Sequence, residues 1–261
     1  MQSKVLFAAI GALLSMSATA APVIYNNDIV TGQAAFDATI TGVGGTVTTL
    51  SLSGLSSGAS SWTATAGSTT VTITSTDGTG RFVYSDYNGY RSSGYSYAIG
   101  GQAITINPYA PASGSGLTFT FSTPVNAFGL QIADWATCCT SVTHADTGAP
   151  TGSNLFISFD GGATRLVANA TSADSNPGNK DYNGDSVKDY VYTNFVAAID
   201  HTSTFTTVTF YGDGFGEALY AGGTLRWATV DQGSVSVPEP TGLALAGVAL
   251  TGLLATRRRK A

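Results

Sequence analysis

The chain has 261 residues, a formal charge of −5, 10% charged residues, 43% hydrophobic residues and 32 glycines. The hydrophobic fraction excludes a disordered chain. Five of the eleven basic residues lie at the two ends, leaving six in the body against fifteen acids; a body charge of −9 excludes a nucleic-acid surface, which needs Lys and Arg for phosphate contacts.

Residues 1–20 read as a secretory signal peptide. Lys4 supplies the positive start, residues 5–14 (VLFAAIGALL) form an apolar run too short to span a bilayer, and Ala18-Thr19-Ala20 gives the small-x-small cleavage pattern. The mature chain is expected to begin at Ala21, in an oxidising compartment. Residues 31–39 (TGQAAFDAT) are the one helical stretch, with Thr31 as its cap. Strands are expected over 46–52, 60–66 and 69–75, which alternate and are rich in Thr and Val. Residues 54–58 (GLSSG) fit the G-x-S-x-G elbow formally, but that elbow needs a strand-to-helix turn, and a Ser/Gly-rich stretch matches by composition.

Tyr84, Tyr87, Tyr90, Tyr95 and Tyr97 crowd one region. Exposed tyrosines stack on sugar rings, so Tyr87, Tyr90, Tyr95 and Tyr97 are candidate sugar-binding residues; packing within a sheet is the ordinary alternative. Strands follow at 118–121 and 127–132, on either side of Pro124-Val125-Asn126. Trp62, Trp135 and Trp227 read as core. The adjacent Cys138 and Cys139 are the only cysteines, which leaves a vicinal disulfide, free thiols or an intermolecular bond. A vicinal bridge joins Cα atoms about 3.8 Å apart, below the usual disulfide range, and so is strained. With His144 the pair offers three metal ligands and no fourth at a diagnostic spacing. His144 and His201 stand in no catalytic motif.

Residues 155–159 and 163–168 flank Asp160-Gly161-Gly162, a hairpin turn. Residues 174–189 (DSNPGNKDYNGDSVKD) form a polar loop with Asn179, Asp181, Asn183 and Asp185 at alternate positions. Hard oxygen ligands on a tight loop suit Ca²⁺, and counting from Asn179 places Gly184 at the glycine position of an EF-hand loop. Tyr190 takes the place of the bidentate Glu, and turn geometry alone accounts for the same residues. Strands over 190–197, 205–211 and 223–230 complete the body. Many short strands without βαβ alternation predict an all-β fold, a β-sandwich or jelly roll over residues 21–236, with one short N-terminal helix.

The last 25 residues carry the clearest pattern. Val237-Pro238-Glu239-Pro240 is stiff and extended, since each Pro fixes φ and donates no N–H. Residues 241–256 (TGLALAGVALTGLLAT) carry no charge and as a helix run roughly 24 Å, a short transmembrane span. Arg257, Arg258, Arg259 and Lys260 follow and stay cytoplasmic by the positive-inside rule, which places the body on the far side.

This succession of Val237-Pro238-Glu239-Pro240, an apolar Leu/Ala/Gly segment and an Arg cluster resembles the PEP-CTERM sorting signal of exported Gram-negative proteins. Residues 119–129 (FTFSTPVNAFG) and the ending over 205–214 with Gly222-Gly223 are similar to phrases common in the bodies of that group, which implies a β-sandwich-like fold and no particular activity. The resemblance implies a membrane-embedded exosortase, a cysteine transpeptidase, as partner, and a setting of exopolysaccharide or biofilm matrix. The leading expectation is a non-enzymatic surface or matrix protein, tethered to the inner membrane with its body in the periplasm until it is sorted to the cell surface or matrix. Its body would bind polysaccharide or calcium. A glycan-acting hydrolase using carboxylates such as Asp134, Asp213 and Glu217, and a purely structural adhesin, are the alternatives.

Overall fold

The strands that alternate in sequence do so because one face of each meets a partner sheet. The computed structural model describes residues 21–87, 98–106, 116–137, 154–170, 173–189, 191–212 and 218–236, and Pro22–Val235 form one unit. In chain order the elements are β1 (Val23–Asp28), α1 (Ile29–Gly42), β2 (Thr48–Ser51), β3 (Ser61–Ala66), β4 (Thr69–Ser75), β5 (Val83–Ser85) and β6 (Gln102–Ile106). Then come β7 (Gly116–Val125), β8 (Ala127–Ala133), β9 (Leu155–Phe159), β10 (Arg165–Ala168), β11 (Thr193–Ile199), β12 (Phe205–Gly212) and β13 (Leu219–Ala228), with a 3-10 turn at Ala173–Ser175.

They make two antiparallel sheets. Sheet A has the order β1-β11-β8-β13-β6-β5, with β2 also paired to β13; sheet B has the order β10-β9-β12-β7-β4-β3. The architecture is the β-sandwich expected from the sequence. Between the sheets lies the main core, where Trp62, Ile73, Phe119, Leu130, Ile157 and Trp227 are among the buried side chains. Trp135 is fully buried as well. No helix among the described residues is long and apolar enough to cross a membrane. Residues 1–20 and 237–261, and with them the cleavage site, the apolar segment and the basic tail, lie outside the described residues.

The helix is longer than the sequence implied and starts earlier. Asp28, not Thr31, is its cap: the Asp28 carboxylate accepts the Thr31 N–H at 2.8 Å. The misreading has a physical source. Thr31 is a good capping residue, but β1 runs directly into the helix, and the residue that closes the strand also opens the helix. Ile29, Gly32, Phe36 and Ile40 face inward at helical spacing and cover one end of the outer face of sheet A. Phe36 meets Tyr25 and Phe195 edge to face. Phe195 also explains two glycines: a Cβ on Gly129 would lie 2.3 Å from the tip of its ring, and one on Gly32 would lie 3.0 Å from its Cβ. Because α1 seals this side, β8 and β11 are buried on both faces.

Strand β13 changes partner part-way. Its first half pairs with β6 and its second with β2, and the switch falls at Gly222 and Gly223, whose φ angles of +131° and +62° suit glycine. The buried Gln131 on β8 holds this bulge, its Oε1 accepting the N–H groups of Gly100 at 2.6 Å and Thr224 at 3.0 Å.

A candidate glycan-binding corner

The end of sheet A's outer face that α1 leaves open is aromatic. Tyr84 sits on β5 opposite Ala103, and Tyr220 sits on β13 between Thr105 of β6 and Ala133 of β8. Cross-strand neighbours share a face, so the two side chains converge. Their rings stack at 4.7 Å, and Tyr87, just past β5, closes the trio at 5.6 Å from Tyr220 and 6.1 Å from Tyr84. The group stands on a small apolar floor of Ile29, Ile99, Ala103 and Ala133. Tyr84 is 45% exposed and nearby Phe82 is 77% exposed.

Asp134 supplies the polar edge of this corner. It follows β8 directly with φ at +63°, and its N–H is tied to the Tyr192 carbonyl at 3.0 Å. Its Oδ1 accepts the Tyr87 hydroxyl at 3.0 Å and the Thr137 hydroxyl at 3.1 Å. Rigid rings with one open side, next to a fixed carboxylate, can stack on the apolar face of a sugar ring and accept hydrogen bonds from its hydroxyls. Of the tyrosines that the sequence offers as sugar-binding candidates, Tyr87 lies in this corner. Phe82 and Tyr220 were not anticipated; Tyr220 joins Tyr84 only through the β5-β6-β13 pairing, which no local pattern reveals. Tyr90, Tyr95 and Tyr97 lie outside the described residues, as do Cys138, Cys139, His144, Asp213, Glu217 and the motif Val237-Pro238-Glu239-Pro240 with Arg257, Arg258 and Arg259.

The polar loop before β11 is locally self-bonded. Asp181 accepts the Gly184 and Ser186 N–H groups, one on each oxygen, both at 2.7 Å. Asp185 accepts the Val187 N–H at 2.8 Å, Asn183 accepts the Asp185 N–H at 2.8 Å, and Asp189 accepts the Tyr182 N–H at 2.7 Å. Asn179 is buried while Asp181, Asn183 and Asp185 are near or at the surface, so the four alternate residues do not share one environment. Among the described residues no group of three or more carboxylate, imidazole or thiol side chains is placed to hold a metal ion. The loop is anchored to the body by Lys180, whose Nζ reaches Asp28 at 2.5 Å and Asn27 at 2.8 Å. The Asp28 carboxyl is buried, which pushes it up, but hydrogen bonds from Lys180 and Thr31 and the Lys180 charge more than reverse this and hold it below the usual carboxylate range.

The G-x-S-x-G match leads into β3, not a helix, and its serines have structural partners: the Ser56 carbonyl accepts the Trp62 indole N–H at 2.8 Å, and the Ser57 hydroxyl accepts the Val83 N–H at 3.3 Å. His201 is buried in the turn between β11 and β12, and neither ring nitrogen has a hydrogen-bond partner among the described residues.

No family model and no curated protein matches the chain. Among solved structures it is similar to the catalytic domain of GH87 alpha-1,3-glucanase in complex with tetrasaccharides, at 16% identity and a TM-score of 0.31, over 66% of this chain and 30% of that one. The chain therefore spans about a third of that domain's length, and the TM-score falls below that of a shared fold.

Proposed function

We propose that this is an exported surface or matrix protein, sorted through its C-terminal Pro-Glu-Pro signal by an exosortase, with a non-catalytic β-sandwich body that binds polysaccharide at the tyrosine corner of sheet A. The observation that carries the binding reading is the stack of Tyr84 on Tyr220, exposed on one side and edged by the Tyr87–Asp134 hydrogen bond. Single exposed apolar residues are ordinary, but a cluster of aromatic rings held in fixed geometry marks a contact surface. The sorting reading rests on the residues of the tail.

Binding is tested by electrophoresis of the full chain through gels cast with exopolysaccharide extracted from the host. Retardation that falls on Tyr84→Ala with Tyr220→Ala supports the corner; undiminished retardation refutes it. Sorting is tested by intact mass of the protein from its native host, beside a Pro238→Ala, Glu239→Ala, Pro240→Ala form. Loss of residues 1–20 and of those beyond the motif, with the altered form uncut, supports processing. Retention of Arg257 to Lys260 overturns it and leaves a protein held by its tail. Hydrolysis of the same polysaccharide, abolished by Asp134→Asn, would replace the non-catalytic reading with the hydrolase.

A further inference from the structure

The outward face of sheet B is a grid of hydroxyls. One row runs in register across five strands, Ser61–Thr74–Thr118–Thr209–Ser158, of which Ser158 is buried, and a second runs across four, Thr63–Thr72–Thr120–Thr207. Strands lie about 4.8 Å apart, so the longer row spans roughly 19 Å. Thr118 and Thr209 bond to each other at 3.1 Å, while the hydroxyls of Thr72, Thr74 and Thr120 have no partner among the described residues. At the β12–β9 end the next row is aromatic: Tyr211 pairs with Phe156, their rings stacked at 5.8 Å, and the Tyr211 hydroxyl is fixed to Thr164 at 2.6 Å. Leu166, half exposed on β10, pairs with Phe156 and extends this strip. No Asp, Glu, Lys, Arg or His occurs in β3, β4, β7, β9 or β12; the one charged residue in a sheet B strand is the exposed Arg165 of β10, in register with the core residue Ile157 and so on the opposite side of the sheet from Leu166.

We propose that this face is a second binding surface, for a neutral polysaccharide chain laid across the strands. The inference rests on the reading of the body as a polysaccharide binder; it adds a separate place of contact and the charge class of the ligand. A nucleic acid or an anionic polymer needs cations that the face lacks. A protein partner needs a desolvated core of aromatic and aliphatic anchors, and most of this face is hydroxyl. A neutral glycan has the complementary pair of features: apolar ring faces for Tyr211 and Phe156, and a rim of hydroxyls that can give and take hydrogen bonds along the threonine rows.

The test is electrophoresis of the detergent-solubilised full chain through gels cast with a neutral glucan, a neutral mannan or alginate as the anionic comparison. A variant with Thr72→Val, Thr118→Val and Thr120→Val keeps side-chain shape and removes hydroxyls; a second carries Tyr211→Ser. Both are checked for unchanged thermal unfolding. The expected result is retardation of the unaltered chain by a neutral polymer, weakened about tenfold in apparent affinity in each variant, with the Tyr84→Ala, Tyr220→Ala form still retarded. If no polysaccharide retards the unaltered chain, the binding reading itself fails. If it is retarded and the sheet B variants match it, or if alginate alone retards it, the inference fails while the binding reading stands. Should Thr→Val unfold the protein, Tyr211→Ser alone decides by the same outcomes.

Discussion

Asp28 performs two tasks whose energies can be separated. Its carboxylate caps α1 through the Thr31 N–H and holds Lys180, which anchors the polar loop. Asp28→Asn keeps the cap, because Asn caps about as well as Asp, and removes the charge. A hydrogen bond to a charged group contributes about 1.5–3 kcal/mol. Lys180 is 42% exposed, so solvent screening reduces this, and about 1–2 kcal/mol is expected at pH 7. Asp28→Ala loses the cap as well, roughly 1 kcal/mol more. The folded carboxyl titrates below its unfolded value of about 3.9, so the ion-pair stabilisation is fully present above about pH 4 and is lost as pH falls through the folded value. Urea unfolding of the full chain at pH 7 and near pH 3 should show Asp28→Asn less stable than the unaltered protein at the higher pH, with a smaller deficit at the lower. The same deficit at both values would refute the electrostatic argument, and no deficit at pH 7 would refute the pairing.

Phe36→Ala empties the centre of the cluster under α1 and should cost about 3–5 kcal/mol, measured by the same unfolding; a loss under 1 kcal/mol would mean that the helix does not seal sheet A. Asn126 is fully buried at the β7–β8 corner, where its side chain donates to the Val230 carbonyl at 2.7 Å and accepts the Val230 N–H at 2.8 Å. Asn126→Leu strands both groups and should destabilise by about 2–4 kcal/mol. His201→Leu goes the other way: it removes two buried nitrogens that have no partners among the described residues and should raise the midpoint of thermal unfolding, by about 1 kcal/mol of stability.

Strands β4 and β9 were legible at both ends and β3 at all but its first residue, β3 and β4 because Thr or Ser alternates with Trp, Val or Ile, whereas β7, read as 118–121, and β13, read as 223–230, were misplaced by up to four residues. Strand β11 was displaced by two or three residues, whereas β8, equally buried on both faces, was placed to within one beside the Pro124 break. Strands β1, β5 and β6 were not foreseen. VIYNND ends in turn-forming residues, VYS is three residues long, and QAITI stands alone between Gly-rich stretches. The tyrosine corner was half legible for the same reason. Phe82, Tyr84 and Tyr87 are near in sequence, but Tyr220 owes its part in it to sheet order. The threonines of the grid stand in strands that the sequence marks, but their alignment into rows comes from the β9-β12-β7-β4-β3 order and its register, which no local pattern reveals.

Val23, the first residue of β1, packs into the same apolar cluster as Val235, near the last described residue. The sandwich thus starts and finishes at the same apolar cluster, beneath α1. A short peptide joining those two points, with new ends opened at Gly161 in the β9–β10 turn, should give a circular permutant that keeps every strand and its neighbours.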